Sequence, residues 1–300
     1  MLTSFEQMVQ FLGASPKRRV VAAAAADSHT LEAVWSAARE DYIDYLLVGD
    51  EDQIRTEANG IGFDVDRSKI LHTTSGEEEM ARMAVAAVRR GDGDFLMKGK
   101  MQTSSLLKAV VNRETGLRGE GVMSHMALLD IPTCSKLLGV TDGGMFPHPT
   151  LADKEGILKN AVSFFHALGY AKPKVAALAA AEAVNPKIPE TTDAAALRDK
   201  AQTGVFGDCY VDGPLSMDLA LSLNACQVKN YHSPVAGDAD ILLTPTMAAG
   251  NIMVKGLLLF AEARMAGCIV GAGVPVVLSS RSASASEKFY SLVLSAAICQ

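Results

Sequence analysis

The chain has 300 residues, 49% of them apolar, and a formal charge of −6 from 28 Lys and Arg against 34 Asp and Glu. That balance, without a Lys/Arg cluster, excludes a nucleic-acid backbone as the expected partner. No stretch reaches the ~18 uninterrupted apolar residues of a membrane span, and the length suits two domains of ~100–200 residues each.

Cys134, Cys209, Cys226, Cys268 and Cys299 are scattered and odd in number, which reads as reduced thiols in a cytoplasmic protein and not as a disulfide framework. Residues 4–14 predict a short helix. The basic Lys17-Arg18-Arg19 and the apolar run behind it stop at Asp27, too soon for a signal peptide, so residues 19–25 predict a first strand. Leu31, Val34 and Trp35 have helical spacing within 28–39, and 45–49 predicts a second strand, which completes a βαβ unit.

Residues 77–90 predict a helix and 94–99 a strand running into Gly99. Thr103-Ser104-Ser105 opens another helix, with Leu106, Leu107 and Val110 inward and Lys108 near its start. A hydroxyl-rich helix start favours anions; the plainer reading is an N-cap with Lys108 on a solvated face. Ser124 and His125 are neighbours on a predicted strand and point to opposite faces, so they are not a nucleophile and its base. A strand through Val140 ends in Asp142 and two glycines, where Asp142 orients either a ligand or the neighbouring loop, and 151–168 follows as a helix.

The alternation continues with a strand over 175–181, its exit loop over 185–189, a helix over 193–204, and a strand and loop over 207–213. Apolar runs at 240–244 and 274–279 predict buried strands. The expected class is α/β with mainly parallel strands. In such sheets ligands lie beyond the carboxyl ends of strands, which points to Gly250-Asn251 and to Ser279-Ser280-Arg281. Arg281 is the centre of that expectation, because a guanidinium beside a helix start suits phosphate or carboxylate. There is no phosphate-binding P-loop, no Gly-x-Gly-x-x-Gly after the first strand, no His-Glu-x-x-His and no paired cysteines, which disfavours nucleotide hydrolysis, dinucleotide redox and zinc chemistry.

Nine segments in order carry a resemblance: ADSHTLEAV, KGKMQTSSLLKAVVNRETGLR, MSHMALLDIP, TDGGM, EAVNPKIPETTDA, VDGPLSMDLA, SPVAGDADILL, AAGNIMVKGL and VVLSSR. Through them the chain resembles the phosphate acetyltransferase and phosphate butyryltransferase family, closest to its butyryl branch, over nearly its whole length. The resemblance implies two α/β domains with mainly parallel sheets around a cleft, similar to isocitrate and isopropylmalate dehydrogenases. The first would comprise residues 1–135 plus 271–300 and the second 136–270, in a homodimer or higher homo-oligomer. The implied reaction joins acyl-CoA and inorganic phosphate to give acyl phosphate and free CoA, without metal or redox cofactor.

The same likeness carries the family's Ser-Arg pair onto Ser280 and Arg281, its Gly-Asn pair onto Gly250 and Asn251, and its acidic residue onto Glu287. Lys108 falls where members often have a phosphate-contacting arginine, and Arg118, Ser124 and Asp142 complete the candidate substrate-binding set. The chain departs from the family at Ala283 and Ser286, at Phe146-Pro147-His148 after Met145, and at Asp238.

The chemistry fits these types. A CoA thiol of pKa ~8.5 benefits from a base, for which Glu287 is the candidate. Arg281 would hold phosphate bidentately, and the Ser280 hydroxyl or helix-start N–H groups would donate to the oxyanion, at ~3–4 kcal/mol of barrier for each donor lost. Plainer roles stand beside these: a capping box for Ser284-Ala285-Ser286-Glu287, a surface ion pair for Arg281, a helix cap for Asn251. The alternatives for the whole chain are a metal-dependent dehydrogenase of a phosphorylated hydroxy compound on the same scaffold, and a CoA-ester binding protein whose catalysis has decayed.

Overall fold

The computed structural model describes residues 2–12, 16–119, 121–280 and 283–299; Arg281 lies outside them. The chain forms two compact units, a terminal one of Phe5–Gly121 with Ala266–Gln300 and a middle one of Met1–Ser4 with Val122–Met265. In the terminal unit α1 (Phe5–Leu12) and β1 (Arg18–Ala23) lead to α2 (Ser28–Arg39), β2 (Ile43–Gly49), α3 (Glu51–Gly60) and β3 (Ile70–His72). Then come α4 (Glu77–Arg89), β4 (Phe95–Lys98) and α5 (Thr103–Val110). Val20 to Ala23 of β1 and all four residues of β4 are buried without alternation, the pattern of strands covered on both faces.

The middle unit holds β5 (Ser124–Asp130), β6 (Leu138–Thr141), α6 (Leu151–Ala167), β7 (Lys174–Leu178), α7 (Pro189–Ala201) and β8 (Tyr210–Leu215). Two short helices, α8 (Met217–Leu221) and α9 (Leu223–Val228), precede β9 (Ile241–Leu243) and α10 (Met247–Phe260). The chain then returns to the terminal unit through β10 (Arg264–Val270), β11 (Val276–Val277) and α11 (Ala285–Ile298). In the terminal unit the strands run β3-β2-β1-β4-β11-β10, parallel except at β10–β11. In the middle unit they run β5-β6-β9-β7-β8, parallel except at β5–β6. The α/β class with mainly parallel strands is therefore what the chain adopts.

Two predicted boundaries move for local reasons. α7 begins at Pro189 and not at residue 193, since a proline at the first helical position gives up an N–H that has no intrahelical partner anyway. The strand expected over 274–279 shortens to Val276–Val277. Pro275 has no N–H to enter a ladder, though its carbonyl still accepts from the Leu96 N–H at 3.1 Å. The capping box on α6 forms in full between Thr150 and Asp153. Among the described residues no helix is long and apolar enough to cross a membrane.

Candidate functional site

Because β1, β4 and β11 are mutually parallel, their carboxyl ends share one side of the terminal sheet. There the chain forms a cavity of about 410 Å³ whose wall includes Asp27, Glu77, Lys98, Lys100, Ser280 and Lys288. Lys98 closes β4 and is only 4% exposed. Its ammonium donates to the carbonyls of Gly99 and Met101, both at 3.2 Å, so the following loop curls around it. The N–H groups of Gly99 and Lys100 extend the ladder to the Ala23 and Ala24 carbonyls at 2.8 and 2.9 Å. A Cβ on Gly99 would lie 2.2 Å from the Ala24 oxygen, which is why a glycine separates the two lysines.

Lys288 is 6% exposed and donates to Asp27 Oδ2 at 2.8 Å and to Thr30 Oγ1 at 3.0 Å. Burial works to raise the Asp27 carboxyl, but the hydrogen bonds from Lys288 and Thr30 outweigh it and hold it below its ordinary value. Glu77 accepts from the Gln102 N–H at 2.9 Å and the Ser105 hydroxyl at 3.3 Å. Of the two readings of the α5 start, an anion site or a plain cap with Lys108 on a solvated face, the second is the one these bonds and the exposed Lys108 match.

Ser280 follows β11 and is exposed at the cavity wall. One residue after the described chain resumes, Ser284 Oγ accepts the Glu287 N–H at 3.1 Å, giving the N-cap of α11. The return bond of a capping box does not form, and the Glu287 carboxylate has no hydrogen-bond partner among the described residues. Burial raises that carboxyl above its ordinary value, with the Lys288 ammonium acting in the opposite direction. A half-buried carboxyl raised in this way moves toward the range in which a general base works.

Lys108 and Arg118 belong to the same unit but do not line this cavity. Lys108 is exposed and pairs with Glu78 at 3.0 Å, in a separate groove of about 260 Å³ shared with Arg82 and Asn112. Arg118 is exposed, and its backbone bridges to Ala272.

The other predicted residues cluster in the middle unit. Asp142, 3% exposed, follows β6 and accepts four backbone N–H groups. Oδ1 takes those of His125 and Gly144 at 3.0 Å and Met145 at 3.1 Å; Oδ2 takes those of Met145 at 3.1 Å and Phe146 at 2.9 Å. Of the two roles left open by the sequence, orienting the neighbouring loop is the one these bonds perform.

Gly250 and Asn251 lie in the first turns of α10, whose N-cap is Thr246 and not Asn251. Asn251 Nδ2 instead donates to the Gly143 carbonyl at 3.2 Å. A Cβ on Gly250 would meet Thr244 Oγ1 at 2.8 Å and Gly143 Cα at 3.1 Å. Ser124 is buried, and its hydroxyl accepts from Asn160 Nδ2 at 3.0 Å, so the expected substrate contact finds this group inside the fold.

Sequence reasoning missed Asp27, Lys98, Lys100 and Lys288. Its available signal was a lysine closing an all-apolar strand and followed by Gly-Lys. The imidazole of His125, set aside as a base for Ser124, packs beside Gly144, and burial lowers its pKa while the Asp142 charge acts to raise it. Among the described residues no three His, Cys, Asp or Glu side chains are grouped as a metal ion would require.

Against known proteins, the family model for phosphate acetyl/butaryl transferases matches residues 77–296. The probable phosphate butyryltransferase of Bacillus subtilis (strain 168) is 45% identical over 285 residues, covering 94% of this chain and 93% of that one. The phosphate acetyltransferase of Thermotoga maritima is 40% identical over 291 residues, covering 97% and 98%. Among solved structures, a branched-chain phosphotransacylase from Enterococcus faecalis V583 superposes with a TM-score of 0.82 at 35% identity, over 94% of this chain and 99% of that one.

The Asp142 cluster yields a direct test. Asp142→Asn replaces one acceptor oxygen with an amide that opposes buried N–H donors, and a loss of about 2–3 kcal/mol in urea unfolding is expected. Unchanged stability would mean that the loop does not need this carboxylate.

Proposed function

The chain belongs to the phosphate acetyltransferase and phosphate butyryltransferase family and is a phosphate acyltransferase; we propose that it moves a short acyl group, butyryl foremost, between coenzyme A and inorganic phosphate. The observation that carries this reading is the cavity at the carboxyl ends of parallel strands whose wall carries Ser280 together with Lys98 and Lys100. Phosphate must approach a thioester attached to a second anion, and cationic side chains offset that repulsion. Arg281, next to Ser280 in sequence, is assigned the phosphate. The Ser280 hydroxyl donates to the oxyanion of the tetrahedral intermediate, and Glu287 takes the thiol proton in the direction that forms acyl-CoA.

In this assignment Gly250 and Asn251, with the loop held by Asp142, keep the substrate-binding role that the family likeness gives them, and Lys108 and Arg118 bind the outlying phosphates of CoA. Acyl transfer changes no oxidation state, so the reading calls for no redox cofactor. The five cysteines are all free thiols, which supports a reducing, cytoplasmic setting.

We further assign α10 to self-association. Ile252, Leu259 and Phe260 are 71, 75 and 89% exposed, and their helical spacing gathers them on one side of α10. Exposed apolar patches of this kind mark interfaces. Lys255 within the patch and Glu262 just beyond it are exposed and of opposite charge, which suits a two-fold pairing with a second copy of the same surface.

Three outcomes test these assignments. Butyryl-CoA with the purified protein should release thiol only when phosphate is added, and Arg281→Ala should raise the phosphate KM and cut turnover by about two to three orders of magnitude; near-wild-type kinetics would remove Arg281 from the site. In the acyl-CoA-forming direction, activity should fall as pH drops through the raised Glu287 pKa. Glu287→Gln should lose that limb and instead climb with pH toward the thiol pKa of ~8.5, whereas a pH-independent deficit would leave Glu287 a structural role. Phe260→Glu should halve the mass measured by light scattering, and an unchanged mass would move the interface elsewhere.

A further inference from the structure

Lys288 is not a residue that the transfer chemistry itself calls for, yet it is placed at considerable cost. An ammonium withdrawn from water loses several kcal/mol of solvation unless acceptors replace it, and Lys288 is almost wholly buried. Its acceptors are Asp27 Oδ2 at 2.8 Å and Thr30 Oγ1 at 3.0 Å.

Both partners are themselves fixed. Asp27 is the N-cap of α2 and accepts the Thr30 N–H at 3.0 Å through the same oxygen that meets Lys288. On the other side, the Lys288 N–H donates to the Ser284 carbonyl at 3.1 Å, one residue along from the Glu287 N–H bond to Ser284 Oγ. The ion pair therefore ties the first turn of α11, which carries Glu287, to the start of α2.

A buried ion pair is a poor device for stability, because well-packed apolar residues of similar volume often do as well or better. What a charged pair supplies is a defined geometry. Its location agrees with that use: Asp27 and Lys288 both lie on the wall that also carries Ser280, and the neighbouring Glu287 carboxylate has no hydrogen-bond partner of its own among the described residues to hold it.

We propose that Lys288 is a positioning residue for the acyl transfer: its ion pair with Asp27 holds the first turn of α11, and with it Glu287, in register with the cavity wall. The role assigned to Glu287 rests on the transferase reading; the clamp itself does not.

The experiment compares wild type, Lys288→Met, Asp27→Asn and the double variant. Methionine keeps most of the apolar stem, and asparagine is a good N-cap, so both singles preserve the surrounding packing. Lys288→Met should lower kcat by about 100-fold, as a displacement of about 1 Å in a positioned group would, with the phosphate KM within about twofold of wild type. Asp27→Asn should act in the same direction, and the double variant should be no more than about threefold slower than the worse single, because both remove one interaction.

An unchanged kcat with a lowered melting temperature would reduce the pair to a structural contact. A raised phosphate KM with kcat retained would make Lys288 a direct ligand contact, and either result overturns the proposal. Amide hydrogen exchange of Glu287 and Lys288 provides a readout that needs no activity: faster exchange is expected in Lys288→Met or, should that variant fail to fold, in Asp27→Asn, and wild-type rates would overturn the clamp. Wild-type protein without phosphate-dependent thiol release would defeat the transferase reading by itself, with the exchange measurement still deciding the clamp.

Discussion

An ammonium taken out of water must be given oxygens, and much of the geometry on one side of the terminal sheet follows from meeting that requirement twice. Lys98 meets it with main-chain carbonyls, those of Gly99 and Met101, and so bends the chain that leaves β4 back over its own side chain. Lys288 meets it with a carboxylate and a hydroxyl from the start of α2. The first solution shapes a loop and the second joins two helices. Both residues lie on the cavity wall that also carries Ser280, where parallel strands end.

The middle unit solves the opposite problem with the same economy of parts. Asp142 is a buried carboxylate whose hydrogen bonds among the described residues come from four main-chain N–H groups. A carboxylate satisfied in this way organises the residues that surround it, here the Gly143–Phe146 turn, and that turn in turn receives the Asn251 amide. Gly250 is needed because the turn and the start of α10 approach too closely for a side chain. Glycines and an acid at the end of β6 thus act as one assembly whose product is a shaped main chain.

Glu287 shows how an incomplete motif carries information. Ser284 and Glu287 have the spacing of a capping box, and the serine half forms. The glutamate half does not, so among the described residues the half-buried carboxylate has no hydrogen-bond partner, and burial raises its pKa. On α6 the same pattern closes fully between Thr150 and Asp153. The shorter aspartate completes the reciprocal bond there, while on α11 the acid remains available for chemistry.

The α/β alternation, the helix over residues 28–39 and the glycine that ends β4 were legible in the sequence, because buried parallel strands and amphipathic helices leave apolar runs and spacings that survive without any knowledge of neighbours. The family resemblance located Ser280, Gly250-Asn251 and Glu287 on short motifs for the same reason: each is a local stretch. What only the tertiary structure decided is which charges meet. Asp27 and Lys288 are separated by most of the chain and become partners because β1 and β11 flank β4 in one sheet, and the choice of Asp142 between ligand and loop depended on N–H groups delivered by β5 and by its own turn. Electrostatic pairing is a property of distance in space, and sequence order carries no measure of it until the strands have been placed.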